Sequence, residues 1–371
     1  MSAAGIYVHI PFCRSKCRYC DFVSACGSEE KQRRYVKALV REIYTGREIY
    51  HGEADTLYIG GGTPSCLYKG AMHEIVKALD DAFSPCLKEF TTECNPDSFD
   101  REKAAELKDA GVTRISLGVQ SLDDGVLKAL GRRHDSEQAK EAVRLAVACG
   151  FDVSADLMLG LPGQTMQDVA SFCDFAAGEG VAHVSAYMLK VEEGTPLARD
   201  VENGLELPSD DESAEIYDFA YSTLSKLGYE RYETSNFCRR GKRCLHNMKY
   251  WTMGDYLAFG VAAHGKIGNR RYFNCGDVDE YVKAVESGAH VYETEELLSE
   301  DDVIEESVML GLRLSDGVDV STLGRRFSFR FEDRYAKALK EAEKYIVFKD
   351  GTLKIKDEYA LVANAIIGMF V

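Results

Sequence analysis

Cys13, Cys17 and Cys20 stand in the stretch GIYVHIPFCRSKCRYCDF, with three and then two residues between them. Thiolates are soft ligands, so spacing this tight asks which metal centre takes three of them. A structural zinc site closes its tetrahedron with four protein ligands. Here the next place of like spacing is Phe22, and the remaining nine of the twelve cysteines show no paired CxxC partner. A cubane [4Fe–4S] cluster on three thiolates leaves one iron open to an outside ligand. Three cysteines therefore point to a cluster whose fourth iron meets a bound molecule, with zinc or chance clustering as the alternatives.

Three further groups of residues could do chemistry. In TLYIGGGTPS, Gly60, Gly61 and Gly62 follow a strand-like run and let the backbone approach a ligand, with Thr63 next. It is no Walker loop, and Ser65 breaks a GxGxxG pattern, so a plain tight turn is the competing reading. Glu93 in TTECNP, Gln120 in SLGVQS and Asp156 in SADLMLGLPGQT lie at or near expected strand ends, with Arg132 in LGRRH. Carboxylates there can accept from ribose hydroxyls and a guanidinium can pair with a carboxylate, although each residue alone could equally be a cap or a surface group. Finally, RCLHNMKYWTMGDYLAFGVAAHG carries His246, Asn247, Tyr250, the sole tryptophan Trp251, and His264. Such a set can offer a flat apolar wall and an axial ligand to a planar macrocycle, or a packed aromatic core with His246 satisfied by hydrogen bonds.

Those residues need a scaffold, and the apolar pattern supplies one. Strands are expected at 6–10, 56–60, 88–93, 114–119, 152–158 and 183–189, with amphipathic helices at 30–44, 71–83, 101–111 and 136–150. Right-handed crossovers of this kind build a parallel sheet, and six units suit an open (β/α)6 barrel with its chemistry at the C-terminal strand ends. The fold class is thus α/β, a partial TIM-type barrel followed by a smaller α+β domain, divided as 1–200 and 209–371 by an acidic Gly/Pro-containing connector. The tail, with helices and a hairpin expected at Asp350-Gly351, resembles a winged-helix module. A net charge of −16 disfavours a nucleic-acid partner. No apolar run reaches membrane-spanning length and the opening residues show no basic start or cleavage site, so a cytoplasmic location is expected. The scattered cysteines read mostly as small core residues.

Taken together, YVHIPFCRSKCRYCDF, GGGTPS, ECNPDS, ISLGVQSLDD, LGRRHD, DLMLGLPGQT and HNMKYW resemble the oxygen-independent coproporphyrinogen III oxidase-like family. Within it they are most similar to the HemW branch, the radical S-adenosylmethionine (radical SAM) haem chaperones. The resemblance covers nearly the whole chain and implies a radical SAM barrel with a characteristic C-terminal domain. It implies cluster ligation by Cys13, Cys17 and Cys20, and S-adenosylmethionine contacts from Tyr7, Tyr19, Gly61, Gly62, Thr63, Glu93, Gln120, Arg132, Asp156 and Met188. His246 matches the histidine of an HNxxYW motif linked to haem, with Tyr250, Trp251 and His264 as companions. Two departures set the chain apart from the oxidase itself: Phe22 stands where the oxidase carries another cysteine, and only Met1 to Gly5 precede the first expected strand. The resemblance therefore implies a chaperone that passes haem to respiratory proteins, at the membrane surface among other places, with an electron donor for the cluster and dimers under some conditions. The alternatives are the decarboxylating oxidase of porphyrin biosynthesis and a related methyltransferase or haem-degrading enzyme.

Overall fold

The computed structural model describes residues 3–48, 50–289 and 291–371. Six parallel strands run in sequential order: β1 (Ala4–Ile10), β2 (Ala54–Gly61), β3 (Glu89–Cys94), β4 (Arg114–Gln120), β5 (Asp152–Leu159) and β6 (His183–Met188). The principal crossover helices are α1 (Glu29–Gly46), α2 (Ala71–Phe83), α3 (Arg101–Asp109), α4 (Asp124–Ala129), α5 (Ser136–Ala148) and α6 (Met166–Gly178). Side chains set their starts. Asp100 accepts from Lys103 N–H, and Asp135 with Gln138 and Thr165 with Asp168 form reciprocal capping boxes.

The strands alternate with period two, and the two faces differ in chemistry. Leu57, Ile59, Ile115, Leu117, Val119, Val153, Ala155, Leu157, Val184 and Ala186 face the helices and build the main core. The intervening positions, from Tyr58 on β2 to Tyr187 on β6, line the barrel interior and are mostly polar. A closed TIM barrel fills that space with branched apolar side chains. Here it is a chamber.

Past β6 come α7 (Pro196–Glu202), α8 (Asp210–Lys226), β7 (Glu230–Arg231), β8 (Asn236–Cys238) and α9 (Leu245–Trp251). They lead to β9 (Tyr256–Phe259), β10 (His264–Ile267), β11 (Arg270–Asn274), α10 (Val278–Ser287) and β12 (Tyr292–Leu297). These strands extend the barrel sheet at both edges, in the order β12-β11-β10-β9-β1-β2-β3-β4-β5-β6-β8-β7. The division expected between 200 and 209 marks the end of the six β/α units, but residues 210–297 share the first unit's sheet and core. A second core forms from Ile304 onward, with Val308, Leu323, Phe331, Leu353 and Phe370. It gathers α11 (Glu300–Gly311), α12 (Val320–Phe327), α13 (Phe331–Arg334), α14 (Ala336–Ala342) and α15 (Ala363–Ile367) around a small antiparallel sheet. That sheet holds β13 (Val318–Asp319), β14 (Ile346–Lys349) and β15 (Thr352–Ile355). The β14–β15 turn falls at Asp350-Gly351, both at positive φ, as a two-residue hairpin requires. Among the described residues no helix is long and apolar enough to cross a membrane.

The added strands are tied to α1 by one buried carboxylate. Glu42 accepts from Gly260 N–H at 2.8 Å, Asn274 Nδ2 at 2.7 Å and the Tyr281 hydroxyl. Even so, burial pushes its carboxyl up from 4.5 to about 7. The folded chain thus keeps this proton to higher pH than the unfolded chain, so stability falls as pH rises through that window, by about 3 kcal/mol in all. Glu42→Gln removes this slope. In urea titrations at pH 5 and pH 8, the stability difference between wild type and variant should move toward the variant by about 2 kcal/mol, since part of the swing is already lost by pH 5; parallel profiles would refute the assignment.

Candidate functional site

A chamber of about 440 Å³ opens at the C-terminal strand ends and runs down the barrel. Cys13, Cys17 and Cys20 lie on its wall, in the loop after β1, with Tyr19, Gly61, Gly62, Thr63, Glu93, Gln120, Arg132 and Asp156. The sequence placed these together, and the fold brings them together.

The cysteine loop is fastened on several sides. Gly62 N–H donates to Ile10 O at 2.7 Å and Thr63 N–H to Phe12 O at 2.8 Å, which zips the glycine turn to the start of the loop. A Cβ on Gly62 would lie 2.8 Å from both the Ile10 and Phe12 carbonyl oxygens, so only glycine fits. Arg18 N–H donates to Leu130 O, Leu197 N–H donates to Arg18 O, and the Arg18 guanidinium grips Asp200 on α7. Tyr19 packs against Val126, Leu130, Met158 and Leu161. His9 Nε2 faces Val23 O at 3.0 Å, so that nitrogen carries the proton and Nδ1 accepts from the Tyr7 hydroxyl, also at 3.0 Å.

Two thiols receive aimed donors. The Thr63 hydroxyl donates to Cys13 Sγ at 3.4 Å and accepts from Asn95 Nδ2 at 3.0 Å. Asn95 Oδ1 accepts from Arg132 Nη2 at 2.7 Å, and Arg132 Nη1 donates to Cys17 Sγ at 3.3 Å. The chain Cys13–Thr63–Asn95–Arg132–Cys17 thus places hydrogen-bond donors at two sulfurs. Burial acts the other way, raising the Cys13 and Cys20 thiols.

Beside them lie two buried carboxyls. Glu93 accepts from the Tyr58 hydroxyl at 2.8 Å and Gly61 N–H at 2.9 Å, yet burial raises it. Burial, then the nearby Glu93 charge, push Asp156 from 3.8 up to about 7. Gln120 ends β4 at φ 67°, a left-handed conformation unusual for its type and a local strain at the chamber wall.

At the floor, Glu89 accepts from Leu245 N–H and His246 N–H, each at 3.0 Å, and from Cys244 Sγ at 3.3 Å. Arg114 lies 3.3 Å from Glu89 and donates to the Lys242 and Arg243 carbonyls. His183 is held between Ser154 and the Tyr232 hydroxyl. Arg114, Thr91, Ser116, Ser154, His183, Cys244 and Asn247 all line this deep end.

Several expected site residues are elsewhere. Tyr7 holds His9 and does not line the chamber, and Met188 packs over Gly160, leaving the wall to Tyr187 and Met158. Of the four residues expected at haem, the fold joins His246 to Tyr250 and brings none to the chamber wall. His246 is fully buried, with Nδ1 on the Thr56 hydroxyl at 2.9 Å and Nε2 on the Tyr250 hydroxyl at 2.8 Å. Burial and the neighbouring Lys249 push its imidazole down to about 3, so the ring is neutral and both nitrogens are engaged. Trp251 ends α9 away from the chamber, and His264 is exposed on β10, stacked on Phe273 at 4.6 Å. In this fold the His246 ring is packed within the core with both nitrogens hydrogen-bonded. Arg114, Thr91, Asn95, Ser116 and Ser154 were not anticipated, although each sits two or four residues from a neighbour facing the same way.

A parallel open barrel with three thiols beyond its first strand defines the radical SAM class, and the superfamily model matches residues 7–176, with a HemN C-terminal domain at 298–362. The chain is 34% identical over 372 residues to the heme chaperone HemW of Bacillus subtilis, covering 98% of each protein, and 38% identical to that of Mycobacterium tuberculosis H37Rv over 86% of this chain and 84% of the relative. It belongs to the HemW family. In fold it matches coproporphyrinogen III oxidase (HemN) from Escherichia coli with a TM-score of 0.87 at 23% identity, over 99% of this chain and 90% of that one.

The superfamily implies a [4Fe–4S] cluster and S-adenosylmethionine, and the residues present fit both. Three thiols share one wall, two with donors at sulfur; the glycine turn has no room for a Cβ; and Arg132 Nε is buried without a hydrogen-bond partner among the described residues. Gly62→Ala should therefore open the zip between the glycine turn and the cysteine loop, costing about 1–3 kcal/mol and most of the cluster loading. Iron and sulfide analysis after anaerobic reconstitution measures this. Full loading in the variant would show that the close approach is dispensable.

Proposed function

We propose that this protein is a haem chaperone: it carries a [4Fe–4S] cluster and S-adenosylmethionine, binds haem, and hands it to haem-requiring respiratory proteins. The observation that carries this reading is Phe22. It lines the chamber mouth, largely exposed, in the place where the oxidase has a further cysteine, and the full-length relatives are named heme chaperones. Cys13, Cys17 and Cys20 would hold the cluster; when bound, it supplies a single electron to the sulfonium of S-adenosylmethionine.

The chain's own residues then have separable tasks. Thr63 and Arg132 steady the charge on Cys13 and Cys17. The Gly61–Gly62 backbone admits the cofactor closely. Glu93 and Asp156 accept hydroxyl groups, which a carboxylate does better than a carboxylic acid. With Asp156 near 7, S-adenosylmethionine affinity should rise between pH 6 and 8, and equilibrium dialysis should find the rise flattened in Asp156→Asn. An unchanged pH profile in the variant would remove Asp156 from the cofactor contacts.

The oxidase reading is tested directly. Reconstituted, reduced protein with S-adenosylmethionine and coproporphyrinogen III should return the tetrapyrrole at unchanged mass under anaerobic conditions. Loss of two carboxyl groups from the tetrapyrrole would make it the decarboxylase and end the chaperone reading, while haem added in place of the porphyrinogen should bind.

A further inference from the structure

The HNxxYW motif faces the chamber through its asparagine, not its histidine. His246 is locked between Thr56 and Tyr250, and Gly5 makes room for the lock, since a Cβ there would lie 2.9 Å from His246 Cε1. The same helix start is fixed by Glu89, and the next residue, Asn247, lines the chamber floor. Thr91 and Arg114 are register partners on adjacent strands and line that floor with it.

This floor has more donors than acceptors. The Glu89 oxygens already receive two backbone N–H groups and Cys244, and they face Arg114 Nε. Ser154 and His183 satisfy each other and Tyr232. Left over are Arg114 Nη1 and Thr91 Oγ1, each with no hydrogen-bond partner among the described residues, on residues only 4% and 1% exposed. A guanidinium can only donate, so what completes it is an acceptor. Buried donors without acceptors are costly, and a planar two-oxygen acceptor matches a guanidinium edge best. Glu89 offsets the Arg114 charge, so recognition rests on hydrogen-bond geometry at a floor that is neutral overall. Glu93 and Asp156 lie above it, toward the mouth.

We propose that Arg114, Thr91 and Asn247 form a carboxylate subsite at the chamber floor, with His246 as its positioning residue. The carboxylate comes from a free small acid or from an arm of a larger ligand; the second source rests on the haem reading above.

The test uses the cluster-loaded full chain. Sodium propionate is titrated calorimetrically against sodium chloride of equal ionic strength, and haem and haem dimethyl ester are titrated at the Soret band. Thr91→Val and Asn247→Leu leave the Glu89–Arg114 pair intact. They should weaken propionate binding about tenfold if the acid is free, or abolish a preference for haem over its ester if the carboxylate is an arm. His246→Gln, which can keep both hydroxyl contacts, should bind like wild type with an unshifted Soret band, while His246→Ala should not. Failure of propionate to bind saturably, together with equal affinity for haem and ester, overturns the subsite. So do floor variants that match wild type, or a Soret band shifted by His246→Gln alone. If wild type binds propionate but no haem, the chaperone reading falls and the subsite stands.

Discussion

An incomplete barrel with a polar lining must be closed at one end or fill with bulk water, and here one carboxylate anchors the helix that closes it. Glu89, at the start of β3, takes the first backbone N–H groups of α9 and draws that helix across the bottom of the chamber. Arg114 then reaches past it to the carbonyls of the segment that leads into α9. Without that plug, the buried carboxyls above would stand in high dielectric and lose the shifts that burial imposes on them. The electrostatics of the upper chamber thus depend on a contact at its lower end, contributed by a part of the chain some 150 residues further on.

The rim obeys a different rule. Its geometry comes from backbone meeting backbone: Gly62 and Thr63 hydrogen-bond to Ile10 and Phe12, and the loop returns through Ala25 to Pro11. Side chains then tune what the backbone has placed. One polarised chain from Arg132 through Asn95 to Thr63 links the glycine turn to two of the three thiols. A shift in the glycine turn is therefore felt at sulfur without touching the cysteines themselves.

Much of this was legible in the residues. The six strands and four of the helices between them came from local periodicity, and the cysteine spacing carries its own chemistry, so both survive translation into three dimensions. The extension of the sheet by β9 to β12 was not legible, because pairing between Gly5 and Tyr256 is a long-range register choice that no local pattern encodes. His246 is ambiguous in the sequence for a related reason: a histidine among aromatics has the same composition whether its ring faces a ligand or is held between Thr56 and Tyr250. Arg114 and Thr91 could have been found. In RISLGVQ and EFTTEC the residues two apart from Gln120 and Glu93 keep turning to the same face, so a site residue at a strand's end nominates those below it.

The sheet that carries all this ends at β12, whose sequence YETEEL leaves Thr294 to Leu297 exposed, with Glu293, Glu295 and Glu296 along it. A strand at a sheet's border is a template for any other extended chain, and here the exposed run from Glu293 to Leu297 is five residues long. Glu295 and Glu296 on that edge pair with Arg270 and Arg271 of β11, so an incoming strand meets solvated charge where it would otherwise meet an apolar border. A sheet that curves inward around a chamber thus presents carboxylates along one of its two outer borders, where backbone would otherwise invite growth.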